Sequence, residues 1–173
     1  MSKGLRNDGL LNICFPSGVH IPIPSFNTIY PVQVYEYIEY SKDLSILNEV
    51  FSTCKNIVDA FISKIDTKTN LIKQFPAPYW NFYEWAYGSD NSDQINRTPD
   101  DFYPDKTDLL INLLFLYMLN NYRKLCDLKK VDFTFNEEKM RSSIINTFYN
   151  KEKRLFKADD TDKPFYTVLG NSL

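Results

Sequence analysis

The stretch Asp43-Leu-Ser-Ile-Leu47-Asn-Glu-Val50-Phe51-Ser-Thr-Cys54-Lys-Asn-Ile57-Val58-Asp-Ala-Phe61-Ile62-Ser-Lys-Ile65 decides the fold class. Its apolar residues recur every three or four positions, the spacing that lines one face of an α-helix, and Asp43 is placed to accept the first free amides as N-cap. Such a face is stable only when buried against other elements. Upstream, Pro31 suits a first helical position and Val34, Tyr35 and Ile38 continue an apolar stripe, so a helix is predicted from Tyr30, although Val32 and Val34 also fit a strand. Residues 1–28, punctuated by Pro16, Gly18, Pro22 and Pro24, read as an ordered loop.

Downstream, residues 66–106 lose periodicity and collect Pro76, Pro78, Gly88, Pro99 and Pro104. A long irregular connection is predicted there, and loops of that length usually carry function. Thr107 opens a third helix whose near-continuous apolar run, Leu109 to Leu119, requires neighbours on more than one side. A fourth helix is expected from about Asn136, with Glu137 and Glu138 at its positive end and Met140, Ile144, Ile145 and Phe148 on one side. Residues 151–173 begin charged and end in Phe165-Tyr166-Thr167-Val168-Leu169, as at the start of a further element. The expected class is therefore all-α, a single domain over residues 1–173 built of helical hairpins, with a long irregular loop between the second and third helices and no strong internal sequence repeat.

Bulk properties narrow the functions. At 43% apolar and 24% charged the chain is globular, and its 16% aromatic content is high. A formal charge of −2 gives no footprint for a phosphate backbone or an anionic membrane, so neither nucleic acid nor membrane is an expected partner. No 20-residue apolar span is present, and the N-terminal residues lack the apolar core of a secretory signal, which points to the cytoplasm. The sequon at Asn96-Arg97-Thr98 is then a chance spelling. Cys14, Cys54 and Cys126 are scattered, suggesting buried free thiols rather than a disulfide framework or a metal knuckle. His20, the single histidine, lies in the proline loop, so a two-histidine zinc site is excluded; no Gly-rich phosphate loop occurs, and no cofactor or metal is expected.

What remains is a chemistry of aromatics and carboxylates. Both tryptophans fall within Pro76-Ala-Pro-Tyr79-Trp80-Asn81-Phe82-Tyr83-Glu84-Trp85-Ala-Tyr87-Gly88-Ser-Asp90. A pyranose ring packs a C–H face on an aromatic plane while its hydroxyls need partners at the plane's edge, roles open to Trp80 and Trp85, and to Asn81, Glu84 and Asp90. The alternative is that Trp80, Phe82 and Trp85 plug the helices from the loop. Glycoside hydrolysis needs two carboxylates across the bond. Asp8, Glu84, Asp90, Asp100, Asp101 and Asp105 all lie in predicted loops, and nothing in the spacing pairs two of them.

Several segments, in order, resemble bacterial α-L-rhamnosidases. Arg6-Asn7-Asp8-Gly9-Leu10-Leu11 with Cys14-Phe15-Pro16-Ser17 resembles their "REDGLLP…YPS" stretch, Ser41-Lys42-Asp43 their "TGD" turn, and Trp80-Asn81-Phe82-Tyr83-Glu84-Trp85 their "WNFVDW" element. Pro24-Ser25-Phe26 to Tyr37, Asn112 to Tyr117 and Phe148 to Phe156 continue the succession. The resemblance covers nearly the whole chain. It implies helical hairpins forming part of an (α/α)6 toroid, with Trp85 lining a rhamnose site and Glu84 standing where aspartate is commoner. It also implies that the complete enzyme is an inverting hydrolase whose general acid and general base are glutamates outside this chain, so that the chain alone is inactive. Two of six hairpins would leave Leu109–Leu119 partly uncovered, which predicts self-association or association with the rest of such an enzyme. A non-catalytic carbohydrate-binding module and a plain helical interaction protein are the competing expectations.

Overall fold

The second helix forms within the stretch its periodicity marks but ends at Ile62, three residues short of Ile65, which pairs with Ile72 instead. Asp43 accepts a hydrogen bond from the Ser45 amide at 2.9 Å and starts a short 3-10 turn, which passes into helix α2, Leu47–Ile62. Leu47, Val50, Cys54, Ile57, Val58 and Phe61 are its buried apolar face. The computed structural model describes residues 2–16, 21–86, 88–91 and 106–173. The other helices are α1, Pro24–Ser41; α3, Leu109–Lys129; α4, Glu137–Phe148; and α5, Val168–Ser172. Strands β1, Tyr149–Asn150, and β2, Leu155–Phe156, pair antiparallel. The chain is mostly helical, and among the described residues no helix is long and apolar enough to cross a membrane.

Helix α1 departs from expectation: it starts at Pro24, not Tyr30, and Pro31 lies inside it. Pro24 takes the first-turn position that proline tolerates, while Pro31 leaves a gap in the ladder. The tertiary bonds of Asn27 and Ser25, described below, hold the early turns in place. The third helix, expected to open at Thr107, starts at Leu109 with Asp108 as N-cap residue and runs to Lys129. The fourth begins as read, with the Asn136 side chain accepting from the Lys139 amide at 3.0 Å, but of its four apolar residues Met140, Ile144 and Phe148 are buried while Ile145 is 52% exposed. Cys54 and Cys126 are buried, but Cys14 is exposed, correcting its reading as a buried thiol; it sits in irregular chain beside the proline loop, where no helix covers it.

Helices α1 and α3 lie side by side and run in the same direction. Near their starts, Ser25 donates to the Phe82 carbonyl and Asn112 bonds Ile72, both on the segment between α2 and α3. Toward their ends the Lys124 ammonium lies 4.6 Å from the Tyr35 ring centre. Helix α2 runs opposite to α3: Phe61 stacks on Phe115 and Phe51 on Tyr122, each at 5.8 Å, and Lys129 reaches Asn48. Helix α4 also opposes α3, with Glu137 at its start paired to Arg123 at 2.6 Å and Ile144 near Leu113 and Leu116. The core between these helices is centred on Phe61, Phe75, Phe115 and Phe148, all nearly inaccessible. Burying each is worth about 1.5–3 kcal/mol.

One local design occurs three times. A residue with left-handed backbone, Gly9, Asn70 or Arg154, is followed by a leucine and then by Leu11, Ile72 or Phe156. Each of these last residues pairs antiparallel with a residue upstream, Leu5, Ile65 or Tyr149. Each also has its amide and carbonyl clamped by one asparagine at the fourth position of the next helix. Asn27 of α1 accepts from Leu11 at 2.6 Å and donates back at 3.2 Å; Asn112 of α3 does so with Ile72 at 2.8 and 3.0 Å; Asn171 of α5 with Phe156 at 2.7 and 3.0 Å. All three amides donate in addition to the carbonyl just before their helix, on Ile23, Asp108 and Thr167. The backbone groups of chain entering the helices are thereby satisfied with no more sheet than a single bridge or a two-stranded ladder.

The clamped residue precedes its asparagine by 16, 40 and 15 positions in the three units. Relative to its two siblings, the second unit carries about two dozen additional residues. That insertion contains the aromatic segment.

Candidate functional site

The inserted segment is held at its base before it reaches the surface. Asn81, buried at 2% exposure, accepts from the Phe75 amide at 2.9 Å and donates to the Phe75 carbonyl at 2.8 Å. The Trp80 amide donates to the Pro22 carbonyl at 3.0 Å, just ahead of α1. Phe82 is buried, with its carbonyl accepting from Ser25 and its ring 5.9 Å from that of Phe26.

Beyond Phe82 the chain makes a closed turn. Tyr83 donates its amide to the Ser89 carbonyl at 2.8 Å, Ala86 to Glu84 at 2.8 Å and Ser89 to Ala86 at 3.0 Å. Gly88 has φ of +76°, and a Cβ there would lie 2.4 Å from the Phe165 ring, so glycine is required twice over. At the tip, Trp85 is 76% exposed. Its ring lies 4.9 Å from Phe82 and 5.8 Å from Trp80, edge-on to both. The Trp80 indole N–H donates to the Asp90 carbonyl at 2.6 Å, so this half-buried ring is oriented by backbone.

The five residues expected to contact a sugar thus have different situations. Trp85 presents its surface outward, and Trp80 backs it. Glu84 and Asp90 are half-buried in the same turn, Asp90 with its carbonyl committed to Trp80. Asn81 is committed to fastening the loop. His20, Tyr87, Asp100, Asp101, Asp105 and the sequon at residues 96–98 lie outside the described residues. Phe26, 49% exposed, extends the aromatic surface and borders a recess of about 280 Å³ lined also by Leu11, Asn12, Ile23 and Tyr30. The sequence assigns Phe26 no part in the site, because its partner Phe82 is far away in the chain.

Two carboxylates flank the base of this loop. Asp8 accepts from the Tyr79 hydroxyl at 2.7 Å, from Arg6 at 3.0 Å and from the Leu10 amide at 3.1 Å. Partial burial works against its charge, but these donors outweigh it and hold its carboxyl below the usual value. Tyr79 is pushed up to about 12, by burial and then by Asp8. Asp108, 4% exposed, accepts on one oxygen from Gln74 at 2.6 Å and from the Tyr83 hydroxyl at 3.0 Å. Burial pushes it up to about 6, against the pull of Lys106, Gln74 and Tyr83. Lys106 lies 3.7 Å from both Asp108 and the buried Asp159. Asp108 and Gln74 carried no signal in the sequence, and Tyr83 stood out only as part of the aromatic stretch, since the cluster joins positions up to 34 residues apart. Among the described residues no group of histidine, cysteine and acidic side chains is arranged to hold a metal ion.

Compared with known proteins, the chain matches no family model and no curated protein.

Proposed function

We propose that this chain is part of the catalytic domain of an α-L-rhamnosidase-type glycoside hydrolase, in which it supplies a carbohydrate-contact surface rather than the proton-transfer groups. The observation that carries this reading is Trp85, an indole 76% exposed at the tip of a hydrogen-bonded turn and backed by Trp80 and Phe82. A core plug would bury that ring; an ordered, outward aromatic plane with Glu84 beside it suits the C–H face and hydroxyl edge of a sugar. The motif resemblance in the same element favours rhamnose.

The repeated unit supports the toroid part of the reading. In an (α/α)6 barrel, parallel inner helices alternate with outer helices of opposite direction. Helices α1 and α3 suit adjacent inner positions and α2 and α4 outer ones, with the three asparagine clamps gathered at the inner helices' starts. Each unit then contributes one loop to a common face, and the inserted loop of the second carries Trp85. An apolar groove of about 270 Å³, lined by Leu113, Leu116, Ile144, Ile145, Phe156 and Leu173, is where a further helix, from a second copy or from the rest of such an enzyme, would cover α3.

A tryptophan-fluorescence titration with L-rhamnose against D-glucose tests the proposal. A saturable change with rhamnose, lost in Trp85→Phe, is expected; no change in folded protein would reject the sugar site. Release of rhamnose from an aryl rhamnoside by the isolated chain would reject the assignment of proton transfer to other segments.

A further inference from the structure

We infer that Asp108 is the positioning residue of the inserted loop: through the Tyr83 hydroxyl it sets where the Trp85 turn stands on the surface. The inference rests on the proposed sugar site only for its consequence, not for its geometry. Asp108 is the residue immediately before α3, where an aspartate ordinarily accepts from the amides of its own first turn. No such cap bond exists here. Thr167, in the same position before α5, does cap, accepting from the Gly170 amide at 3.0 Å. The Asp108 carboxylate is instead turned toward the insertion.

Both ends of the insertion close on it. At the entering end, Gln74 donates its side-chain amide to Asp108 and its backbone amide to the Lys106 carbonyl at 3.0 Å. At the returning end stands Lys106, and from the middle comes Tyr83, bonded to the same carboxylate oxygen as Gln74. Among the described residues the other charged neighbour is Asp159, on the segment ahead of α5, which accepts twice from Thr161 and shares Lys106. Tyr83 is also the residue whose amide closes the turn onto Ser89, which is 1% exposed. Fixing its side chain therefore fixes the turn from its first residue, and Trp85 follows two residues later. A buried carboxylate binding two neutral donors beside a cation makes each bond charge-assisted, stronger than the neutral bonds within the turn.

Amide hydrogen exchange on the full chain tests this without any ligand. In Tyr83→Phe and in Asp108→Ala, the backbone amides at position 83 and at Ala86 and Ser89 are expected to exchange about tenfold faster, the change that losing one charge-assisted bond brings. Amides in the middle of α2 and α3 are expected to keep their protection. Asp108→Asn, which retains an acceptor oxygen at the same place, is expected to keep the loop within about threefold of the parent. Unchanged loop protection in Tyr83→Phe, an Asp108→Asn as loose as Asp108→Ala, or an equal loss throughout α3 would each overturn the inference. If the loop loosens as expected while the parent binds no rhamnose, the positioning role stands and the carbohydrate reading falls.

Discussion

Asparagine is a poor helix former, yet three helices carry one at their fourth position, each answering a single residue's amide and carbonyl together. The side-chain amide is the only neutral group that mimics a strand neighbour, offering a donor and an acceptor side by side. Asn112 is fully buried, so Asn112→Leu leaves the Ile72 amide and carbonyl orphaned in the core. A loss of about 3 kcal/mol is expected, measured as a lower urea midpoint at unchanged slope. Asp108 gives a second residue-scale prediction, with a sign. Its pKa rises from 3.8 to about 6 on folding, so the folded state holds this proton more tightly than the unfolded chain. The associated stability is present below about pH 4 and is lost as pH rises through about 6. At 1.36 kcal/mol per unit that is ~3 kcal/mol. Urea melts from pH 4 to 7.5 should show this fall in the parent relative to Asp108→Asn, which cannot titrate; parallel profiles would reject it. Asp8, whose pKa is lowered, acts in the opposite direction, losing stability as pH falls below about 4, in both proteins alike.

At the scale of elements, the helices differ in how far local sequence accounts for them. Helix α4 has its own start signal, and Asn136→Ala should cost about 1 kcal/mol in a thermal or urea melt. Helices α2 and α4 were legible because a cap and a periodic face coincide in one stretch. The start of α1 was not, because Pro22 and Pro24 argue locally against a helix and Pro31 for a later start, while the clamp on Leu11 argues for the earlier one from 16 residues away. The inserted loop is the other extreme, an element with no periodicity whose order comes from glycine and long-range bonds. Gly88→Ala forces both a left-handed alanine and a clash with Phe165. The Trp85 turn should therefore be displaced, seen as a shifted tryptophan emission and weakened rhamnose binding, while the far-ultraviolet helix signal stays unchanged. Of the candidate site, Trp80 and Trp85 were legible as a rare pair in one segment. The commitment of Asn81 to Phe75, and the part of Phe26, could not be read, since nothing in a linear string says which side of a loop faces the helices.

At the scale of the whole molecule, the packing leaves one apolar flank, along α3 and α4, facing outward. Ile145 and Leu173, 52% and 62% exposed, line one groove, and Tyr117, 45% exposed, lines an adjoining recess that shares Leu113, Leu116 and Leu173 with it. Under the toroid reading that flank is covered by a second copy or by the rest of such an enzyme; if by a second copy, Ile145→Glu should lower the sedimentation coefficient at high concentration without lowering the melting temperature, and identical sedimentation of the two proteins would reject self-association through that face. By itself the sequence determined the class, the number of the long helices and where three of them begin to within a few residues, and the segment worth testing for function. Those follow from periodicity, caps and the clustering of rare side chains, all properties of neighbours along the chain. Only the tertiary structure decided that α1 begins at Pro24, that three helix starts share one clamp, and that Asp108 serves a loop instead of its own helix. Each of those depends on where a polar group finds its partner once water is excluded, and the partners lie 15 to 57 residues away.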